Sequence, residues 1–237
     1  MSFSSDVKKE ICSVEQFDRE ALKAELYGML LFSRNFSPNK ITFTTESNYA
    51  GNRLIFLLQN LYMPIIEKQS ALRTKSSDSH LYKIIVVDGN DCKRIFEDFG
   101  HTDGQITLRV NRANLSSEEL SQAFLRGVFL SCGSVSDPMK SYHLEFCVPH
   151  KNLSQDLCKI LSEITECTLI PKTVVLGQRI DSDCLFLCSI ALSCFADAVA
   201  IFPIFATSPL ILRFTLLRTC FIAFVPIISI DLIGEPM

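Results

Sequence analysis

Cys132, beside Ser131 in the run L-S-C-G, is the residue best suited by type to nucleophilic chemistry, because a thiolate attacks an electrophilic centre once a base has taken its proton. A base of the required kind is missing nearby. The four histidines (His80, His101, His143 and His150) fall in unrelated segments, and Cys132 lies in an apolar run with helical spacing, so a buried structural thiol is the better reading. No C-x-x-C spacing occurs among the ten cysteines, and Cys184 and Cys188 stand four apart, so neither a zinc site nor any cofactor is expected. The chain has no G-x-S-x-G elbow, no P-loop and no G-x-G-x-x-G following a strand. Residue chemistry therefore points away from an enzyme.

The elements around Cys132 carry a stronger signal. The run Ala123 to Gly133 (A-F-L-R-G-V-F-L-S-C-G) repeats the pattern of Ala24 to Arg34 (A-E-L-Y-G-M-L-L-F-S-R) at an offset of 99 residues. Ala24 aligns with Ala123, Gly28 with Gly127 and Leu31 with Leu130, and Ser131 extends the small-residue face of the later copy. A glycine inside a helix costs roughly 1 kcal/mol relative to alanine, so two at matching points need a reason. Close approach of the two helices supplies one. Each copy is followed by a turn with proline (Ser37-Pro38, Asp137-Pro138), a strand-like run (Ile41 to Glu46, Tyr142 to Val148) and an apolar helix (Asn48 to Leu61, Asn152 to Ile164). Helix, turn, strand, helix twice over predicts a duplicated α+β unit with approximate two-fold symmetry and antiparallel sheets.

The remaining elements follow from local pattern. Residues 3 to 12 read as a short amphipathic helix with Asp6, Lys8, Lys9 and Glu10 on its wet side. Leu54 to Leu58 is continuously apolar, as if packed on both sides. Pro64 to Lys68 and Leu81 to Val87 read as a strand pair, Asp91 to Phe99 as a helix stopped by Gly100, and Ser116 with Glu119 as a capping box for the second repeat helix. With 48% hydrophobic residues the 237-residue chain has ample material for a core. Residues 1 to 180 carry equal numbers of acidic and basic side chains, so no basic excess announces a nucleic-acid partner. The polar N-terminus M-S-F-S-S-D-V-K-K-E has no apolar signal core, which leads us to expect a cytoplasmic, reduced protein.

At V-K-K-E (Val7 to Glu10), A-E-L-Y-G-M-L-L-F-S (Ala24 to Ser33), F-L-R-G-V-F-L-S-C-G-S-V-S-D-P (Phe124 to Pro138) and K-S-Y-H-L-E-F (Lys140 to Phe146), the chain resembles a known family. The helix pair is similar to degenerate LAGLIDADG helices, and the surroundings are closer still to the WhiA family of bacterial regulators. The resemblance implies a homing-endonuclease-like domain joined to a C-terminal helix-turn-helix, with roles in sporulation, cell division, chromosome segregation and transcription regulation, and a nucleoid-associated location. It also implies where a nuclease would hold its metal ions, one acid at the foot of each paired helix. Those positions are Ser33 and Cys132 here, and neither hydroxyl nor thiol is a good ligand for Mg²⁺. Asp137, beyond the turn, suits a turn or cap role better. A protein that holds DNA without cutting it is the implied function. A saddle of strands over DNA would offer Lys40, Thr42 and Thr44 on the first strand, Arg73, Lys75 and Lys83 on or beside the hairpin, and Arg109 and Arg112 in the connector, for weak, salt-sensitive contact with phosphates. A regulatory protein partner is the alternative use of the same surface.

Expected boundaries are 1 to 113 for the first repeat, 114 to 176 for a truncated second repeat, and 177 to 237 for an atypical tail. Between Cys184 and Ile230 the tail carries charge at Asp197, Arg213 and Arg218 alone. Cys184 to Phe202 and Phe214 to Ile230 have about the length of membrane spans, with Asp197 an awkward intruder in the first. A membrane anchor is one reading. The favoured one is a replaced or frame-shifted C-terminus, because no helix-turn-helix is visible where the resemblance places it.

Overall fold

A computed structural model describes residues 2–72, 80–105, 107–137, 144–148, 150–165, 172–173 and 186–190. Helices α1 (Phe3–Ser13), α2 (Arg19–Leu31) and α3 (Asn48–Leu61) begin at Ser2, Asp18 and Ser47, whose side-chain oxygens accept from backbone N–H groups of the first turn. Strands β1 (Asn35–Ser37) and β2 (Lys40–Thr45) precede α3, and β3 (Ile66–Leu72) and β4 (His80–Val86) follow it. The stretch expected as a plain turn before β2 thus contains a short strand of its own, Asn35 pairing with Thr42 and Ser37 with Lys40. Helix α4 (Gly89–Asp98) closes the first unit, and Gly100 takes the positive φ of 77° that ends it.

A 3₁₀ turn (Arg112–Leu115) leads into α5 (Glu118–Cys132). Its N-cap is Ser117, which accepts from Leu120 N at 3.2 Å, in place of the expected Ser116. Ser116 adopts a helical conformation that ends the 3₁₀ turn, so its hydroxyl is one residue too early to cap. Strands β5 (Gly133–Val135) and β6 (Leu144–Val148), helix α6 (Lys151–Thr165), and strands β7 (Lys172–Thr173) and β8 (Phe186–Ile190) complete the described elements.

Both sheets have the same plan. The first runs β1-β2-β4-β3 and the second β5-β6-β8-β7, with antiparallel neighbours throughout. Strand β8 lies beyond residue 176, where the second unit was expected to stop. It supplies the central neighbour of β6, Phe146 pairing with Cys188. No alternation of polar and apolar residues marks Phe186–Ile190 as a strand within the apolar tail. The rest of the two proposed spans, Cys184 to Phe202 and Phe214 to Ile230, lies outside the described residues, as do Arg73, Lys75, Pro138 and His143. Among the described residues no helix is long and apolar enough to cross a membrane.

The core sits where α2 and α5 cross between the sheets. Leu26, Tyr27, Met29, Leu30 and Leu31 of the first helix, with Ala123, Phe124, Leu125, Val128 and Leu130 of the second, are fully buried. On the first sheet Ile41, Phe43, Ile84 and Val86 turn inward beneath α3, where a Cβ built at Gly51 would sit 3.2 Å from Ile84 Cδ1. Phe56 departs from the expected all-round burial of α3. It is 47% exposed, and the Arg53 guanidinium lies over its ring at 5.5 Å from the centroid.

Candidate nucleic-acid interface

The two glycines face each other's backbones. A Cβ at Gly28 would collide with the Phe124 carbonyl oxygen and stand 2.9 Å from Val128 N. One at Gly127 would collide with the Glu25 carbonyl oxygen and stand 3.0 Å from Met29 N. Ala24 and Ala123 are buried on the same helices, whereas Ser131 near the foot of α5 is half-buried.

Hydrogen bonds at the helix feet turn inward. Ser33 is buried and its Oγ donates to Leu30 O at 2.6 Å. Cys132 Sγ donates to Val128 O at 3.4 Å, and burial pushes its thiol well above the ordinary range. The charge beside it is positive: Lys8 of α1 reaches Leu130 O at 3.5 Å and lies 5.7 Å from the Phe129 ring centroid. An ammonium group at a helix C-terminus neutralises its free carbonyls. Burial lowers the Lys8 pKa, while Cys132, Cys12 and Glu46 nearby oppose that shift. Lys8 was assigned to the wet side of α1; it is half-buried instead, because the foot of α5 lies against that side. Asp137 is half-buried past the end of β5. Among the described residues no group of three or more His, Cys, Asp or Glu is arranged to hold a metal ion.

Strand alternation sorts the surface candidates. Lys40, Thr42 and Thr44 share the sheet face opposite Ile41 and Phe43, and Thr44 pairs with Lys83, which puts all four on one side. Lys40 and Lys83 are exposed and Thr44 half-buried. Thr42 is 2% exposed, and its Oγ1 is buried without a partner among the described residues, so it is withdrawn from any surface that could touch a ligand. Alternation fixes a side chain's face but not its depth, and Thr42 is flanked on its face by Asn35 and Ile85.

Arg109 and Arg112 are engaged elsewhere. Arg109 donates from Nε and Nη2 to the two oxygens of Asp156 at 2.9 and 2.7 Å, and Val110 N adds a third bond to that carboxylate at 3.1 Å. Arg112 grips Glu163 in the same two-pronged way at 2.6 and 3.0 Å, an arrangement that pulls the Glu163 pKa down. Both connector arginines therefore fasten α6 to the core, and a phosphate would have to displace a carboxylate to reach them. The paired acids lie 47 and 51 residues away in sequence, too far for local pattern to reveal them.

Two polar clusters went unseen in the sequence. Glu25, 1% exposed on α2, accepts from Arg53 Nε and Nη2 at 2.7 and 2.8 Å, and Arg53 Nη1 also reaches Val14 O at 3.3 Å. Behind the helix pair, Asn111 N donates to Tyr27 Oη at 2.8 Å, and Tyr27 Oη lies 3.1 Å from His101 Nε2. His101 Nδ1 lies 3.2 Å from Gln105 Oε1. An amide oxygen accepts, so Nδ1 carries the proton and Nε2 receives the tyrosine hydrogen. Burial lowers the His101 pKa, which favours the neutral imidazole that this arrangement uses.

Residues 121–173 match the family model of the WhiA LAGLIDADG-like domain. The chain carries a WhiA-type LAGLIDADG-like domain. A probable cell division protein WhiA of Clostridium novyi is 34% identical over 172 residues, covering 68% of this chain and 54% of that protein. Its counterpart in Ruminiclostridium cellulolyticum is 33% identical over 166 residues, again covering 68% of this chain and 53% of the other. The WhiA-like chain thus spans about half the length of the curated relatives it matches. Full-length DUF199/WhiA from Thermatoga maritima superimposes with a TM-score of 0.62 at 18% identity, over 99% of this chain and 69% of that one. The isolated N-terminal LAGLIDADG domain of DUF199/WhiA gives 0.58 at 18% identity, over 86% and 92%. At that identity the two structures speak for the fold: paired helices between antiparallel sheets, the WhiA architecture.

Proposed function

We propose that this WhiA-like chain is a non-catalytic DNA-binding protein of transcription regulation that acts in cell division, as its relatives' names suggest, and in sporulation and chromosome segregation. It works in the cytoplasm at the nucleoid. The observation that carries the proposal is the Lys8 ammonium beside Cys132, which with Ser33 we assign to the positions where a nuclease of this fold would carry its metal-binding acids. A cation there favours retention of a phosphate backbone, and a hydroxyl and a thiol are poor ligands for Mg²⁺. Lys40, Thr44 and Lys83 on one sheet face form the contact surface we assign to the DNA; Arg73 and Lys75, outside the described residues, are added to it from the sequence alone. Contacts made mainly with the backbone make this binding weak and poorly selective for sequence.

Fluorescence anisotropy of the full chain with duplex DNA across a salt series tests this. Affinity should fall with a log–log slope that decreases by about 0.9 for each phosphate contact removed, so Lys40→Gln and Lys83→Gln each flatten it. Arg109→Gln should leave the slope alone, since its guanidinium already serves Asp156. Binding that ignores salt, or Mg²⁺-dependent nicking of plasmid, would refute the proposal.

A further inference from the structure

A cleft of ≈ 510 Å³ opens between the β1–β2 hairpin, the connector after α4 and the beginning of α6. Its walls include Arg34 and Asn35 on one side and His150, Lys151 and Asn152 on the other, with Asp103 the one acid among the described lining residues. Arg34, His150 and Lys151 are exposed, and their side chains have no hydrogen bond or ion pair among the described residues. This sets them apart from Arg53, Arg94, Arg109 and Arg112, each of which is held by a carboxylate.

The start of α6 adds to the imbalance. Ser154 N bonds back to His150 O at 3.0 Å, which leaves the N–H groups of Lys151, Asn152 and Leu153 without helical acceptors. No acid lies in the first turn, and a lysine occupies it, an unfavourable charge at the positive end of a helix. Cations from two separate elements and the amides of Asn35 and Asn152 therefore line one concavity, beside the start of α6. An oxyanion would satisfy them together.

We propose that this cleft binds a phosphate group, with Arg34 and Lys151 as the opposed cationic contacts and His150 at the rim. A phosphodiester of a nucleic-acid backbone and a free phosphate or nucleotide share that chemistry. The former source rests on the DNA-binding reading above; the cleft itself does not. A backbone phosphate held here would extend the sheet-face contacts around the first unit to α6.

Two titrations of the full chain decide the matter. Inorganic phosphate is titrated at constant ionic strength against wild type, Arg34→Gln, Lys151→Gln and Lys159→Gln, the last removing the same charge from the same helix away from the cleft. Wild type and Lys159→Gln should bind alike, and the two cleft variants should lose about tenfold or more in affinity. Absence of phosphate binding, or an equal loss in Lys159→Gln, overturns the proposal. The second titration uses duplex DNA across salt. A slope about 0.9 smaller in each cleft variant identifies the backbone as the source. An unchanged slope alongside lost phosphate binding supports the cleft with a small phosphate-bearing ligand, even if the DNA-binding reading fails.

Discussion

Replacing Gly28 with alanine adds one methyl group where two helices leave no room for it. That carbon would overlap the Phe124 carbonyl oxygen and approach Val128 N to 2.9 Å, both backbone atoms that cannot rotate away. Overpacking of this kind costs up to about 3 kcal/mol, and the rigid obstacles put Gly28 at that upper end. Alanine returns about 1 kcal/mol of helix propensity, leaving a net loss of about 2 kcal/mol. For a chain of this length the melting temperature should fall by roughly 4–8 °C, measured by circular dichroism or calorimetry. Gly127→Ala should behave alike, and the double variant should lose less than the two losses added, since helices already pushed apart make room for the second methyl. Gly89→Ala is the internal control: a Cβ there meets nothing within 4 Å, so it should be neutral or stabilising by up to about 1 kcal/mol. A Gly28→Ala protein that melts at or above the wild-type temperature would refute interlocked helices.

Glu25→Gln should destabilise by about 3 kcal/mol in urea titrations, because it leaves the half-buried Arg53 and the 8%-exposed Arg126 without their shared anion; Glu25→Gln combined with Arg53→Met should recover part of the loss. The His101 network predicts a pH response. Burial lowers the folded-state pKa below the ordinary 6.5, so the unfolded chain binds the proton more readily; stability is full above that value and is lost as pH falls through the folded pKa. Denaturation midpoints measured between pH 7.5 and 5 should show this decline, and His101→Gln should flatten it. A midpoint that rises on acidification would place the charged imidazole in the folded state.

The fold was largely legible because its defining features are local or periodic. The glycine pair, the duplicated helix–strand–helix order and the residues of α3 all follow from short-range pattern, and α3 spans Asn48–Leu61 as read from its apolar spacing. What escaped depends on depth or on distant partners. Thr42 has the correct parity for an outward face yet is buried, and Lys8 has a wet-side pattern yet lies against Phe129. Arg109 and Arg112 look like free cations until α6 brings Asp156 and Glu163 to them. Arg34 ends the first repeat run and Lys151 sits in no motif, so nothing in the sequence links them; only the fold brings both to the walls of one cleft. Strand β8 lacked a signature altogether, since an inner strand among apolar neighbours reads like any other hydrophobic run.

The mutual seating of Gly28 and Gly127 makes each half of the molecule the other's missing wall. A polypeptide severed between residues 113 and 114 would leave two bare, greasy rods, each insoluble by itself and each able to rescue the other when both are produced in one cell. Duplication has in this way become obligatory cohabitation: neither half can drift in shape at the seam unless its sibling follows.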